Sequence, residues 1–119
     1  MAWSIDARIP IRLLPDSAAL AAARAEGRPA AVLAEAGADA PADAARFAPG
    51  GPARHASACP CCQGRSPAAL ALDALFQART RGSRAWFDRV LVLAQGAGAE
   101  EVAAALRDDA LTAARFRPG

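Results

Sequence analysis

Two short runs of apolar residues constrain the fold of this chain most. The first is Ala30-Ala31-Val32-Leu33-Ala34 and the second is Val90-Leu91-Val92-Leu93-Ala94. Neither run alternates between apolar and polar residues, and short continuous apolar runs are typical of parallel strands that are covered on both faces. We therefore expect both runs to be strands of a parallel sheet with helices on each side.

Strand and helix patterns also alternate before and after the first of these runs. Residues 8–14 alternate polar and apolar side chains, which predicts a further strand. A helix is expected to follow it, with Asp16 or Ser17 as its N-cap. Residues 38–53 are rich in Ala, Asp, Pro and Gly, which indicates a loop with at most one helical turn, around 43–47.

Two more helices are predicted in the second half of the chain. The first begins at Ser66-Pro67, which is a typical N-cap and first helical residue, and it ends at Arg81-Gly82. The last helix is expected over about 100–107. Between these helices, Trp86 and Phe87 are expected to form a hydrophobic plug against the sheet.

This order of elements predicts a single domain over residues 1–119, with the fold of a small three-layer α/β sandwich and a short, mostly parallel sheet. In such sheets, functional residues gather on the loops that follow the carboxyl ends of the strands. Glu35 and Gln95 follow two of the predicted strands, and the cysteine-containing segment joins them if a short strand covers about 54–58. We therefore expect these residues to share one edge of the sheet.

The charge and the amino terminus argue against two classes of partner. The chain carries 14 basic residues, all of them arginine, and 12 acidic residues, which gives a net charge of +2. The arginines are scattered along the chain, so we expect no nucleic-acid partner. Residues 1–6 do not resemble a secretory signal, and no apolar run approaches the ~20 residues of a membrane span. We therefore expect a cytoplasmic protein with no membrane partner.

All the cysteines of the chain lie within four residues, as Cys59, Cys61 and Cys62, and the only histidine, His55, is just upstream. In a reducing compartment, such thiols favour metal or redox chemistry, and an odd number cannot pair within one chain. Three thiolates can surround one zinc ion, at ~2.3 Å, or another thiophilic metal ion such as Cu(I). Glu35, His55 or a second chain is the candidate fourth ligand.

The cysteine cluster also allows two other interpretations. The segment from Cys59 to Cys62 contains a Cys-x-x-Cys motif, but thiol oxidoreductases place the attacking cysteine at a helix start, and Ser66-Pro67 puts the helix start later. The cluster can instead be inert and merely pack. Arg65 and the nearby helix N-terminus are expected to lower the pKa of the thiols and favour the thiolate.

The motif Ala58-Cys59-Pro60-Cys61-Cys62, placed before a Leu-rich helix over about 70–78, resembles the amino-terminal part of the CobW-type GTPase metallochaperones. That family carries Gly-Cys-x-Cys-Cys after a strand, followed by a Leu-rich helix. The resemblance implies a P-loop-NTPase-like but truncated fold and a role in metal handling. Weaker correspondences to the family's other motifs are Glu35, Gly37, Asp88, Gly96 and Arg115-Phe116-Arg117.

The chain departs from this family where the nucleotide would bind. A phosphate-binding loop needs Gly-x-x-x-x-Gly-Lys-Ser/Thr, but Pro15-Asp16-Ser17-Ala18-Ala19 stands in its place and the chain has no lysine. The family's Glu-Thr pair near the nucleotide's magnesium is replaced by Leu93-Ala94. We therefore expect no nucleotide cofactor and no GTPase activity, and a non-enzymatic protein that holds a metal ion for trafficking or sensing.

Two functions of other classes are left as alternatives. One is a degenerate GTPase that acts as an interaction or dimerisation module, because missing strands would leave sheet edges open for pairing. The other is a thiol oxidoreductase. The Ala-rich core buries little apolar area per residue, which favours a homodimer, and a partner metalloprotein is expected if the ion is passed on.

Overall fold

The computed structural model describes residues 6–50 and 64–119. In chain order, its elements are β1 (Ile9–Leu14), α1 (Ser17–Arg24), β2 (Ala31–Glu35), β3 (Ala45–Phe47), α2 (Pro67–Arg81), β4 (Val90–Leu93), α3 (Gly96–Asp108), α4 (Ala110–Arg115) and β5 (Phe116–Pro118). In this part of the chain, no helix combines the length and the apolarity that crossing a bilayer requires.

The described strands form one five-stranded sheet in the order β3-β2-β4-β1-β5, and every neighbouring pair is parallel. The central strand is β4, whose Val90 lies opposite Ile11 of β1 on one side and Ala31 of β2 on the other. The two apolar runs of the sequence therefore lie next to each other at the centre of the sheet. The prediction of a parallel sheet is confirmed.

Helices cover both faces of this sheet. Along β4, alternate side chains point to opposite faces. Leu91 packs with Leu20 of α1 on one face, whereas Val92 packs with Leu72 of α2 and Val102 of α3 on the other. The short helix α4 packs against α2 and α3 on this second face. The predicted three-layer α/β sandwich is therefore confirmed.

The helix ends follow the capping signals of the sequence. Asp16 is the N-cap of α1, and its Oδ1 accepts a hydrogen bond from Ala19 N–H at 2.8 Å. Ser66 is the N-cap of α2, with Oγ accepting from Ala69 N–H at 3.2 Å. At the other end of α2, Gly82 adopts a φ of 76°, a left-handed conformation that glycine adopts without strain. The predicted helix over 67–81 is thus confirmed at both ends.

The prediction of a loop over 38–53 is wrong at residues 45–47, which form strand β3 instead of a helical turn. Ala45 lies opposite Leu33 of β2, and Phe47 lies opposite Glu35. Phe47 is buried in the core, and Arg46 Nη1 donates to the carbonyl oxygen of Ala38 at 2.6 Å. Burial of the Phe47 side chain and pairing with β2 therefore favour a strand at residues 45–47, although the local composition indicates a loop.

The last helix of the prediction begins too late, and a final strand was not predicted. α3 begins at Gly96 rather than at residue 100, with Gln95 as its N-cap. β5 pairs with the first half of β1, so that Phe116 lies opposite Ile9. Glycine is a poor helix former, so Gly96 and Gly98 do not indicate a helix from the sequence alone.

The predicted hydrophobic plug is half wrong. Phe87 is 1% exposed and belongs to the core, but Trp86 is 62% exposed. The guanidinium of Arg79 lies 3.6 Å from the centre of the Trp86 ring, while its Nε donates to the Phe87 carbonyl oxygen at 2.7 Å. Trp86 is therefore held at the surface by a cation–π contact and does not enter the core.

Candidate functional site

The carboxyl ends of β1, β2 and β4 surround an open cavity of about 480 Å³. Its lining comes from the three loops that follow these strands, and includes residues 15–17, 35–39 and 93–95. The connection from β1 to β2 passes β4, and the connection from β4 to β5 passes β1 in the opposite direction. The direction of the connections therefore changes between β1 and β4. Ligands of open parallel sheets bind outside the carboxyl ends of strands at such a switch point. Glu35 and Gln95 share this edge, as the sequence predicted.

Glu35 joins the end of β2 to the start of α3. Its Oε1 accepts a hydrogen bond from Gln95 N–H at 2.8 Å. Gln95 Nε2 in turn donates to the carbonyl oxygen of Pro15, so the three loops of the edge are connected. A carboxylate at a helix N-terminus is also favoured by the helix dipole. Glu35 therefore has a structural role here in addition to its predicted role as a metal ligand.

Gly98 lets α3 approach the Glu35 carboxylate closely. A Cβ atom at position 98 would lie 2.6 Å from Glu35 Oε2 and 3.3 Å from Pro49 Cγ. Gly98 is itself buried. The glycine that disfavours helix formation in the sequence thus makes room for the carboxylate and for the chain just before residue 50.

Substitution of Gly98 should therefore depend on whether Glu35 is present. Alanine is a better helix former than glycine by about 1 kcal/mol, but a hydrogen bond to a charged group contributes about 1.5–3 kcal/mol. We expect Gly98→Ala to lower the free energy of unfolding by about 1 kcal/mol, because it displaces the carboxylate. In a Glu35→Ala background, the same change should be stabilising by about 0.5 kcal/mol. Urea unfolding of the four proteins measures both effects, and equal effects in the two backgrounds would contradict the contact.

The turn from β1 into α1 is short and carries an acid. Only Pro15 and Asp16 separate Leu14 from Ser17. Anions bind helix N-termini through free N–H groups and the positive end of the dipole, but here the Asp16 carboxylate already accepts from Ala19 N–H. This position therefore favours a cation or a neutral group over a phosphate.

Glu101 of α3 connects two segments that are distant in the sequence. Its Oε1 accepts from Gly50 N–H at 2.8 Å, and its Oε2 accepts from Ala68 N–H at 2.9 Å. Gly50 precedes the part of the chain that carries the cysteines, and Ala68 follows it. One carboxylate on α3 therefore holds both ends of the cysteine segment, which we define as residues 51–67.

The predicted ligands Cys59, Cys61, Cys62 and His55 lie outside the described residues. The structure describes the chain again from Gly64, three residues before α2 begins at Pro67.

Arg65, near the end of the cysteine segment, forms ion pairs with two acidic side chains. Its Nε donates to Asp109 Oδ2 at 2.9 Å, and its Nη1 lies 3.5 Å from Asp73 Oδ2. Arg115 Nη1 also pairs with Asp73. The Arg65 hydrogen bond lowers the pKa of Asp109 below its usual 3.8 and raises the pKa of Arg65. Because two carboxylates already offset its charge, Arg65 gives little support to the prediction that it lowers the pKa of the thiols.

The N–H groups at the start of α2 are also occupied. Pro67 has no N–H, Ala68 N–H donates to Glu101, and Ala69 N–H donates to Ser66 Oγ. Leu70 N–H donates to the Ser66 carbonyl oxygen. Stabilisation of a thiolate by direct hydrogen bonds from this first turn would therefore require these bonds to be exchanged.

The Arg65–Asp109 pair predicts a specific pH dependence of stability. Because the folded state lowers the Asp109 pKa, the pair stabilises fully above the unfolded pKa of ~4 and is lost as pH falls through the folded pKa. Asp109 also caps α4 through Thr112 N–H, and asparagine caps equally well. We expect Asp109→Asn to cost about 1 kcal/mol at pH 7 and nearly nothing once pH is below the folded pKa of Asp109. Urea unfolding across this range measures it, and a cost that is the same at every pH would contradict the pairing.

Among residues 6–50 and 64–119, no three His, Cys, Asp or Glu side chains come together in a way that could hold a metal ion. Glu35 is the only predicted ligand within these ranges, and it lies at the expected edge of the sheet. The described residues therefore do not form the predicted zinc site by themselves. Such a site needs side chains from residues 51–63.

Glu101 was not identified from the sequence. Its position becomes meaningful only once α3 is known to begin at Gly96, because Gly98, Glu101, Val102 and Ala105 then follow helical spacing on one face. Glu100, its neighbour, is exposed. With the helix start placed at residue 100, the two glutamates could not be distinguished.

Comparison with known proteins finds no relative. No protein-family model, no curated protein and no solved structure matches this chain. The resemblance to CobW-type metallochaperones therefore depends on the sequence motifs alone. The function of the chain has to be inferred from its own residues and their geometry.

Proposed function

We propose that this chain is a non-enzymatic metal-binding protein that holds one zinc or similar thiophilic ion through Cys59, Cys61 and Cys62, for metal trafficking or sensing. The chemistry of the residues supports the proposal. Thiolates are strong ligands for zinc and Cu(I), and three of them in four residues can reach one ion. Of the described residues, Glu35 is the candidate that can complete the ligand set, with His55 or a second chain as the alternatives.

The observation that supports this proposal most is the position of Glu101 between Gly50 and Ala68. Its two carboxylate oxygens fix both ends of the cysteine segment. A segment whose ends are already held together loses less conformational entropy when its side chains close around an ion. We call this pair of hydrogen bonds from Gly50 and Ala68 to Glu101 the clamp. It favours metal binding by the segment and involves neither a nucleotide nor a catalytic step.

Glu35 lies close to the part of the chain that leads into the cysteine segment. Its carboxylate and Pro49, one residue before Gly50, both lie next to Gly98 of α3. Glu35 Oε1 is held by Gln95 N–H, which orients the carboxylate, as hydrogen bonds to ligating carboxylates generally do. This arrangement supports Glu35 as the candidate fourth ligand.

A nucleotide is not part of the proposal. The acidic N-cap Asp16 stands directly after β1, and no lysine is present in the chain. A phosphate group at this position would face a carboxylate, and none of the described residues that line the cavity is basic. The metal-handling part of the CobW-type resemblance is therefore the part that we carry forward.

The proposal is tested by zinc titration of the purified protein against a chromophoric chelator. The unmodified chain is expected to bind one zinc ion, and the Cys59→Ser, Cys61→Ser, Cys62→Ser triple variant to lose measurable binding, because a hydroxyl is a poor zinc ligand. Far-UV circular dichroism of both proteins shows whether the fold is retained. Absence of stoichiometric binding, or equal binding by a folded triple variant, would contradict the proposal.

Single substitutions then identify the fourth ligand. Glu35→Gln is expected to weaken zinc binding about 10-fold or more if the carboxylate is a ligand or orients one. His55→Ala is the matched comparison, and Asp39→Asn, in the same cavity, is the control. If none of the three changes the affinity, the fourth ligand comes from a second chain or from water, and Glu35 is not a ligand.

A further inference from the structure

A second cavity, of about 340 Å³, lies at the opposite edge of the sheet from the cavity that Glu35 lines. It is on the α1 face, near the amino-terminal ends of β1, β2 and β4. Its polar lining is formed by Arg12 of β1, Glu26 and Arg28 of the loop after α1, and Arg89, which precedes β4. Pro10 and Leu91 supply apolar surface, and Gly119 completes the lining. The predicted function does not use any of these residues.

Arg89 is the most buried member of this group. Its side chain is 6% exposed. Nη1 donates to Glu26 Oε1 at 2.9 Å, and Nη2 donates to the carbonyl oxygens of Ala23 at 2.9 Å and Arg28 at 3.3 Å. Its Nε is buried and has no hydrogen-bond partner in the described structure. A guanidinium has five donor hydrogens, so the contacts of Arg89 with other described residues leave part of its donor capacity unused.

Arginine side chains outnumber acidic side chains around this cavity. Glu26 bridges two of the arginines, because its Oε2 accepts from Arg12 Nη1 at 3.1 Å. Arg28 Nη2 lies 3.6 Å from Asp88 Oδ1. Three guanidinium groups thus face two carboxylates, and Arg12 and Arg28 are each more than half exposed. Each of the two guanidinium groups keeps donors that take part in no contact among the described residues.

We propose that this cavity binds a small oxyanion, a phosphate or a carboxylate, between Arg12, Arg28 and Arg89. Guanidinium groups match the geometry of these anions through paired hydrogen bonds. The volume is within the range of small-ligand sites, and a ligand with a short apolar body would also contact Pro10 and Leu91. The site is independent of the cysteine segment, so either proposal can fail without the other.

Inorganic phosphate and acetate are the probes that test this site, with sodium chloride at equal ionic strength as the reference. We expect one of the two oxyanions to raise Tm saturably beyond chloride, and the stronger one identifies the anion class. In ¹H–¹⁵N spectra, the Arg89 Nε–H resonance should shift with the same saturation curve. Equal effects of both oxyanions and chloride, with no shift at Arg89, would overturn the proposal.

Variants separate a specific site from a general salt effect. Arg12→Ala and Arg28→Ala are each expected to weaken binding of the active oxyanion 10-fold or more, whereas Arg107→Ala, an exposed arginine paired only with its neighbour Asp108 among the described contacts, should leave it unchanged. Glu26→Gln removes the competing negative charge and should tighten binding several-fold, which a purely structural role would not do. Equal loss in all three arginine variants, or weaker binding by Glu26→Gln, would contradict the site.

Discussion

Arg89→Met is expected to lower the free energy of unfolding by about 3 kcal/mol, the largest effect among the substitutions considered. Methionine keeps most of the volume of the side chain but removes its donors. The carbonyl oxygens of Ala23 and Arg28 then lose the Arg89 donor, although Ala23 still accepts from Glu26 N–H at 3.2 Å. Glu26 also loses its ion pair with Arg89. Hydrogen bonds that involve a charged group contribute about 1.5–3 kcal/mol each. Urea unfolding at pH 7 measures the difference.

Arg12→Met is the matched control for this prediction. Arg12 pairs with the other oxygen of the same glutamate, but its side chain is 52% exposed, against 6% for Arg89. Exposed ion pairs contribute about 0–1 kcal/mol. We therefore expect a cost below about 1 kcal/mol for Arg12→Met, and similar costs for the two variants would show that burial of Arg89 does not decide its contribution.

Glu101→Ala is expected to lower the free energy of unfolding by about 2–3 kcal/mol. The carboxylate accepts hydrogen bonds from Gly50 N–H and Ala68 N–H, and each hydrogen bond to a charged group contributes about 1.5–3 kcal/mol, part of which water replaces at this half-buried position. The first turn of α2 also loses its partner for the Ala68 N–H. Chemical unfolding followed by circular dichroism measures the effect.

The adjacent residue provides the control for Glu101. Glu100 is exposed on the same helix, and Glu100→Ala should change stability by less than about 0.5 kcal/mol. Zinc affinity gives a second measurement, because Glu101→Ala removes the hydrogen bonds that connect the two ends of the cysteine segment through one carboxylate. We expect Glu101→Ala to weaken zinc binding and Glu100→Ala to have no effect. Equal behaviour of the two variants would contradict the clamp.

The centre of the fold was predictable because burial on both faces leaves a clear pattern. Ala31–Glu35 and Val90–Leu93 read as continuous apolar strands, and they pair with each other in the sheet. Helix α2 was predictable because Ser66-Pro67 and Gly82 mark its two ends. These signals are local, and they need no knowledge of what the segment packs against.

The edges of the sheet were not predictable for the opposite reason. β3 and β5 are three residues long and lie at the two edges. Their neighbours β2 and β1 determine that they are extended, and this tertiary contact leaves no period in the sequence. The early start of α3 was missed because Gly98 is selected by the close approach of Glu35 and not by helix propensity.

The candidate site was predictable in part. Glu35 and Gln95 follow strands, and topology alone places them at the carboxyl edge. To identify Glu101, one needs the register of α3. To place Trp86, one needs to know that Arg79 holds its ring at the surface. The cysteine cluster was evident from spacing, and its role as a metal site stays a prediction from chemistry.

Zinc K-edge X-ray absorption of the protein loaded with one equivalent of zinc tests the central claim most directly, since it counts the sulfur ligands of the ion. The account predicts one zinc ion per chain with three sulfur neighbours at ~2.3 Å and one lighter ligand. A zinc ion with one sulfur neighbour or none, or protein that retains no zinc, would contradict it.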